Sequence, residues 1–205
     1  MKRARIILLL LLPLITVLPS GCIKLWQENL EIATYLLQVE REGPPAVEVP
    51  LAEKLWVEPA HVLPPYNARN LILRQNDVAF RASYYTELLM SPADNFRSCF
   101  FTWFAESGIF RETAVADRTG MTHSMVVSVL EFYGNEEEGA AVLSVQVTLL
   151  DERNRASEVV FSRKYSQKEL LEEQSVEALI RAYNRALMRI LADCEHDVVA
   201  ALGAD

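Results

Sequence analysis

The sequence predicts an α+β fold in a single domain, with a mostly antiparallel sheet and two main helices packed on one of its faces. Short runs of alternating apolar and polar residues indicate strands, and two stretches with apolar residues three and four apart indicate helices. The strand runs between residues 125 and 165 are separated only by turns, which is typical of antiparallel neighbours. With 51% hydrophobic residues, a chain of 205 residues is long enough to bury one core.

The first part of the predicted domain consists of strands and loops, because the chain shows no helical spacing of apolar residues through residue 75 and residues 78–85 alternate as in a half-buried strand. The strand runs cover residues 33–39, 54–58, 70–74 and 78–85. Glycine and proline at residues 43–45, Pro59, and the prolines at residues 64 and 65 separate these runs into short segments.

A helix is predicted over residues 92–107. Ser91 can cap its first turn, Pro92 suits the first helical position, and Asp94 complements the positive end of the helix dipole. Its apolar stripe consists of four aromatic rings and a thiol: Phe96, Cys99, Phe100, Trp103 and Phe104. Such a stripe is typical of a helix that covers a core, and the alternative is the lining of a lipid groove.

The second half predicts three antiparallel strands, over residues 125–132, 142–150 and 157–165. The acidic run at residues 136–138 lies in the first connecting turn, where we expect it to be solvated. Residues 166–169 have capping-box spacing and predict a short turn. Ser175 then predicts the start of a second long helix, whose apolar stripe extends to Cys194.

The N-terminus has the layout of an export signal. Three basic residues within the first five precede an uncharged apolar run of 13 residues, over residues 6–18. A membrane-spanning helix needs about 20 apolar residues, so a permanent span is the weaker interpretation. Residues 18–22 resemble a lipobox, in which Cys22 is acylated and becomes the first residue of the mature protein.

These features predict a lipoprotein signal peptide over residues 1–21, a lipidated tether over residues 22–32 and a globular domain over residues 33–205. The alternative is an ordinary secretory signal followed by an incidental cysteine. Because Ile23 rather than aspartate follows Cys22, we expect attachment to the periplasmic face of the outer membrane.

Charge argues against nucleic-acid binding. Three of the 20 basic residues lie before residue 22 and none of the 28 acidic residues does, so 17 basic and 28 acidic residues remain after it, a net charge of −11. Phosphate backbones repel such an acidic body. Two cysteines, Cys99 and Cys194, also remain, and they form either a disulfide, worth on the order of 4 kcal/mol, or two buried free thiols.

No catalytic or metal-binding motif is present in the sequence, so we expect no cofactor, no metal and no enzymatic activity. His61, His123 and His196 lack the spacing of metal ligands. One alternative is a lipid or small-ligand binding lipoprotein with a cavity lined by Phe96, Phe100 and Trp103. A less favoured one is an envelope hydrolase, which requires a nucleophile, a base and an acid in contact.

Several short motifs, taken in order, resemble the PqiC-type lipoproteins, which are ABC-type transport auxiliary components. They are Leu-Trp-Val-Glu at residues 55–58, Leu-Pro-Pro-Tyr at 63–66, the strand at 71–74, Asp-Val at 77–78, Met-Ser-Pro at 90–92 and Val-Leu-Glu-Phe-Tyr-Gly at 129–134. The resemblance extends from about residue 35 to residue 191, and Leu89 stands where the family often has tryptophan.

The resemblance implies a non-enzymatic lipoprotein that works with a periplasmic MCE-domain protein and its associated transporter in lipid transport between membranes. Homo-oligomers are also possible in such a family. Candidate partner contacts are Trp56, Tyr66, Arg74 and Tyr85, since aromatic rings and strand edges commonly anchor protein interfaces. The alternative is that these rings only close the domain.

Overall fold

The computed structural model describes residues 32–154 and 156–203. In chain order, the elements are β1 Ala33–Tyr35, β2 Ala52–Val57, β3 His61–Val62, β4 Asn70–Arg74, β5 Phe80–Leu88, α1 Pro92–Glu106, β6 Phe110–Ala114, β7 His123–Asn135, β8 Ala140–Asp151, β9 Glu158–Leu170 and α2 Val176–Leu202. The predicted signal peptide and the tether up to residue 31 lie outside the described residues.

One sheet contains the nine described strands, and β7 lies at its centre. One edge of β7 pairs with β8 along its whole length, and β8 pairs in turn with β9. The other edge of β7 receives β2, β3 and β4 one after another, through the pairs Leu55 with His123, His61 with Ser128, and Leu73 with Gly134. Beyond them, β6 joins β2, while β5 and then β1 join β4.

The sheet is mixed, so the prediction of a mostly antiparallel sheet is wrong. Five of the pairings in the described chain are parallel, including all three on the second edge of β7. The other three are antiparallel. The sequence missed this because alternation of apolar and polar residues specifies which face of a strand is buried, but not which strand lies beside it.

Two helices cover one face of the sheet. Ser91 caps α1, its hydroxyl accepting from the Asp94 N–H at 3.1 Å, and Ser175 caps α2 in the same way at Ala178. The ring of Phe132 on β7 lies between the helices, with centroids 5.3 Å from Phe96 of α1 and 4.5 Å from Tyr183 of α2. Both helices therefore pack on the face that carries Phe132, which we call the covered face.

The strands differ from their predicted bounds mainly at their ends. The strand Asn70–Arg74 is where the sequence placed it, whereas β3 and β6 were not predicted. The turn predicted over residues 166–169 is wrong, because β9 continues through these residues and Ser166 pairs with Ser144 of β8. The run predicted over residues 33–39 is a strand only as far as Tyr35.

Residues 36–41, which we call the strap, contact both helices rather than a neighbouring strand. The Asn95 side chain of α1 makes two hydrogen bonds of 2.9 Å with the backbone N–H and C=O of Leu37. Asn184 of α2 accepts from the Gln38 N–H at 3.2 Å, and Arg41 donates to both carboxylate oxygens of Glu195 at 2.8 and 2.9 Å. Side-chain amides thus satisfy backbone groups that a sheet partner would otherwise satisfy.

We expect Asn95→Ala to lower the free energy of unfolding by about 1–3 kcal/mol, because it leaves the buried N–H of Leu37 unpaired and its carbonyl with only the weak Cys99 thiol donor. Urea unfolding followed by circular dichroism measures the change. The control is Asn184→Ala, which removes one exposed hydrogen bond and should cost about 0.5 kcal/mol. Equal losses in the two variants would contradict the role given to Asn95.

Candidate functional site

The face of the sheet opposite the helices, which we call the open face, has two chemically different halves. Along β8 and β9 it is polar, with hydroxyl contacts such as Ser144 with Ser166 at 2.9 Å and Thr148 with Ser162 at 2.7 Å. Along β4, β5 and the end of β7 it carries aromatic rings instead. Because interface anchors are most often aromatic or arginine side chains, the second half is the better candidate for partner binding.

An aromatic cluster forms on that half from Tyr66, Phe80 and Tyr133, with Arg74 beside it. The Tyr133 ring stacks on Tyr66 at a centroid distance of 6.2 Å and meets the edge of Phe80 at 5.5 Å. The Arg74 guanidinium lies 6.0 Å from the Phe80 centroid. Tyr133 is buried, whereas Tyr66 is partly buried and Phe80 is exposed, so the cluster is anchored in the sheet and open to solvent at its rim.

Local structure holds the members of the cluster in place. The Tyr66 N–H donates to the Leu63 carbonyl at 2.8 Å, which closes the turn over β7. The Arg74 Nε donates to the Asn76 carbonyl at 2.9 Å, which leaves the rest of its guanidinium beside Phe80. Burial and the nearby Glu131 carboxylate raise the pKa of Tyr66, so its phenol stays protonated and can donate a hydrogen bond.

Trp56 and Tyr85, the other two predicted contact residues, lie outside this cluster. The Trp56 indole is stacked by Arg118, whose guanidinium carbon lies 4.8 Å from the ring, and its N–H donates to the Val115 carbonyl at 3.3 Å. Arg118 and Val115 therefore occupy much of the Trp56 surface that a partner could contact. Tyr85 lies on β5 and is 53% exposed.

The sequence analysis missed Phe80 and Tyr133 as members of the site. A signal was present for Tyr133, because Phe132 and Tyr133 are adjacent in a strand and must point to opposite faces. Since Phe132 lies on the covered face, Tyr133 has to lie on the open one. No comparable signal marked Phe80, because its contact with Tyr133 depends on the order of β5, β4 and β7 in the sheet.

Cys99 and Cys194 are free buried thiols, which is the second of the two alternatives that the sequence left open. The Cys99 thiol lies 3.5 Å from the Leu37 carbonyl, and burial raises its pKa to about 12. Burial also raises the pKa of Cys194, which contacts Tyr165. A thiol with a raised pKa is a poor nucleophile and a poor metal ligand. Cys22 lies outside the described residues.

The rings proposed to line a lipid cavity belong to the core instead. Phe96 and Phe100 are fully buried, and Trp103 donates its indole N–H to Glu195 at 2.7 Å. A groove of about 570 Å³ runs beside the strap and is open to solvent. Its lining mixes apolar and polar side chains, among them Leu36, Val39, Met90, Asn95, Thr102 and Asn184.

His123 and Ser124 do not form a catalytic pair, because consecutive residues of β7 point to opposite faces. The Ser124 hydroxyl donates to Glu152 at 2.7 Å, whereas the His123 Nδ1 contacts the Thr122 hydroxyl at 3.0 Å. Within residues 32–154 and 156–203 there is no group of three or more histidine, cysteine or acidic residues placed to hold a metal ion.

His123 is nonetheless unusual, since it is almost fully buried and its Nε2 has no hydrogen-bond partner among the described residues. Burial lowers the pKa of His123, and the neighbouring Asp151 opposes that shift only in part. Hydrogen bonds from Arg153 lower the pKa of Asp151 to about 2. The folded protein therefore holds His123 neutral beside an ionised Asp151.

A family model for the ABC-type transport auxiliary lipoprotein component matches residues 35–194 of the chain. The chain belongs to this family. The match begins at Tyr35, the last residue of β1, and contains the strap, both halves of the open face and α2 as far as Cys194. A comparison with curated proteins finds no match.

Solved structures show the same fold at low sequence identity. Protein XCC0632 from Xanthomonas campestris, of the family DUF330, is 16% identical, with a TM-score of 0.67 over 79% of this chain and 92% of that one. An uncharacterized protein is 13% identical, with a TM-score of 0.68 over 82% and 99%. The hypothetical protein CT253 from Chlamydia trachomatis is 11% identical, with a TM-score of 0.54 over 75% and 99%.

Neither helix of the described chain is long and apolar enough to cross a membrane.

The buried neutral His123 predicts a pH dependence of stability. Because its pKa is lower in the folded than in the unfolded state, its contribution is complete above the ordinary histidine pKa of 6.5 and is lost as the pH falls below it. Urea unfolding at about pH 7.5 and about pH 5.5 should show this loss. The Asp151 contribution disappears only between the ordinary aspartate pKa of 3.8 and about 2, outside this window.

Replacing His123 with leucine should flatten the dependence between these two pH values. The control is His61→Gln at an exposed position, which leaves His123 intact and should keep the parent slope. If His123→Leu also kept the parent slope, another group would be responsible for it.

Proposed function

We propose that this protein is a non-enzymatic lipoprotein that docks a periplasmic MCE-domain protein at the outer membrane and thereby serves an intermembrane lipid transport system. In this proposal residues 1–21 are removed, residues 22–32 tether the chain through acylated Cys22, and residues 33–205 form the docking domain. The observation that carries the proposal is membership of the ABC-type transport auxiliary lipoprotein family over residues 35–194.

The partner-binding surface in this proposal is the aromatic cluster on the open face. Tyr66 and Phe80 present partly exposed rings on a buried support, Tyr133, so little side-chain entropy is lost when a partner covers them. Arg74 adds a charged group that can pair with a carboxylate or a backbone carbonyl of the partner. Tyr85 and Trp56 remain candidate contacts at greater distance from this centre.

Docking is favoured over lipid or small-ligand carriage, because Phe96 and Phe100 pack in the core and do not line a cavity. A carrier usually encloses its apolar ligand in a mostly apolar pocket. The groove beside the strap is open and partly polar instead. Docking is also favoured over hydrolysis, since His123 faces away from both Ser124 and its partner Glu152.

The first test concerns the anchor. Cys22→Ser should move the protein from the membrane fraction to the soluble periplasmic fraction, because it removes the thiol that is acylated. Fractionation followed by immunoblotting measures the distribution, and mass spectrometry of the parent protein should show acyl chains on Cys22. Cys99→Ser, at a buried free thiol, is the control and should leave the protein in the membrane fraction.

The second test concerns the partner. The mature lipoprotein should co-purify with the MCE-domain protein from its own genome, and Tyr66→Ala combined with Arg74→Ala should reduce recovery at least about tenfold, as expected when two interface anchors are lost. The control is Arg111→Ala. Arg111 is an exposed arginine on β6, where it pairs with Glu53 of β2, and β6 lies at the other end of the sheet from β5 and β1. Unchanged recovery with the double variant would place the interface elsewhere.

A further inference from the structure

Two charged side chains of opposite sign flank the aromatic cluster on the open face. Glu131 lies two residues before Tyr133 on β7, so both side chains point to the same face of the sheet. On the other side of Tyr133, Arg74 of β4 pairs in register with Asn135, which lies two residues after it. An acid, an aromatic centre and a base therefore follow one another along β7.

The strand register sets the distance between the two charges. Glu131 and the register position of Arg74 are four residues apart on β7, which corresponds to about 13 Å along the strand. Tyr133 lies midway, with the partly exposed ring of Tyr66 and the exposed ring of Phe80 packed against it. A partner that covers these rings therefore meets one charge on each side of an apolar centre.

Neither charge is paired within the part of the chain that the structure describes. The Glu131 carboxylate has no ion pair and no hydrogen bond there, and Arg74 uses only its Nε in a hydrogen bond, to the Asn76 carbonyl. Both side chains are partly buried. Asp197 is also partly buried, but it pairs with Arg163 at 2.5 Å. Groups of opposite sign on a partner would supply to Glu131 and Arg74 the pairing that the domain itself does not provide.

Both charges act on the Tyr66 phenol, which shows that they lie close to the cluster. Burial has the largest effect and raises the pKa of Tyr66, the Glu131 carboxylate raises it further, and the Arg74 guanidinium opposes both. Fields from partly buried charges are screened less than those between fully exposed groups. The surface of the cluster is therefore polarised, negative beside Tyr66 and positive beside Phe80.

We infer that this surface binds an extended segment of the MCE-domain partner that carries a basic, an apolar and an acidic side chain at alternate positions. The inference rests on the proposed function, because it describes the chemistry of that partner. In an extended chain, residues i, i+2 and i+4 lie on one face and span about 13 Å, which matches the spacing on β7. The basic side chain pairs with Glu131 and the acidic one with Arg74, while the apolar one covers the aromatic cluster.

The separation of the charges favours a protein segment over a small zwitterion or a zwitterionic lipid headgroup. Such molecules carry their two charges on neighbouring groups, so one molecule cannot reach both Glu131 and Arg74. A peptide of five residues spans the distance without distortion.

The first step of the test identifies the segment. In the full-length lipidated protein, Phe80 is replaced by the photo-crosslinking residue p-benzoyl-phenylalanine, and membranes that also contain the MCE-domain protein from the same genome are irradiated. Mass spectrometry of the cross-linked peptide gives the sequence that lies over the aromatic cluster. We expect a segment of the MCE-domain protein with a basic and an acidic residue four positions apart and an apolar residue between them.

The second step reverses the charges one at a time. Arg74→Glu should lower co-purification of the MCE-domain protein at least about tenfold, because a like charge then faces the acidic residue of the segment. Changing that acidic residue to lysine should restore most of the recovery. Glu131→Lys should likewise be rescued by reversing the basic residue of the segment. Arg111→Glu, at an exposed arginine on β6, is the matched control and should leave recovery unchanged.

Three results would overturn the inference and leave the docking proposal intact, provided that the parent lipoprotein co-purifies with the MCE-domain protein. The first is a cross-link to a segment without the two charges, or no cross-link at all. The second is unchanged recovery after both charge reversals. The third is a cross-link to a second copy of this chain, which would make the surface a contact between copies. A parent protein that does not co-purify would instead contradict the proposed function, and the inference would fail with it.

Discussion

Strand β7 is the element on which the rest of the structure depends, because it is longer than any strand on its second edge. It runs beside β8 over all thirteen of its residues, with one irregularity at Leu130, yet on the other side three short parallel strands share its length. Phe132 contacts both helices from the covered face, and Tyr133 supports the aromatic cluster from the open one. One adjacent pair of residues thus joins the core to the candidate site.

Close packing leaves little room for a side chain at Gly134, near the C-terminal end of β7. A side chain at Gly134 would lie 2.8 Å from Leu73 of β4 and 2.9 Å from Leu179 of α2, so glycine allows β4 and the helix to approach the strand together. This approach fixes Arg74, the residue after Leu73, beside Phe80. The position of the aromatic cluster follows from packing on the opposite face, which explains why substitutions in the core can disturb the surface.

The sequence predicted those features that depend on local patterns. Ser91, Pro92 and Asp94 marked the start of α1, and alternation along β8 identified its buried face. It did not predict the parallel pairing of β2, β3 and β4, because pairing depends on contacts between distant segments. For the same reason it found Tyr66 and Arg74 separately and missed the rings of Phe80 and Tyr133 that join them. The two residues of β3 were too few to form a recognisable pattern.

The direction of β1 determines how the domain resists tension applied at its N-terminal end. Because β1 runs parallel to β5, a pull on Ala33 acts along the strand axis and loads the hydrogen bonds between the two strands together, in shear. Beyond β1, the same force reaches Leu37 and then Arg41, which are bound to different helices. Mechanical load therefore spreads over the sheet and both helices instead of peeling one strand away bond by bond.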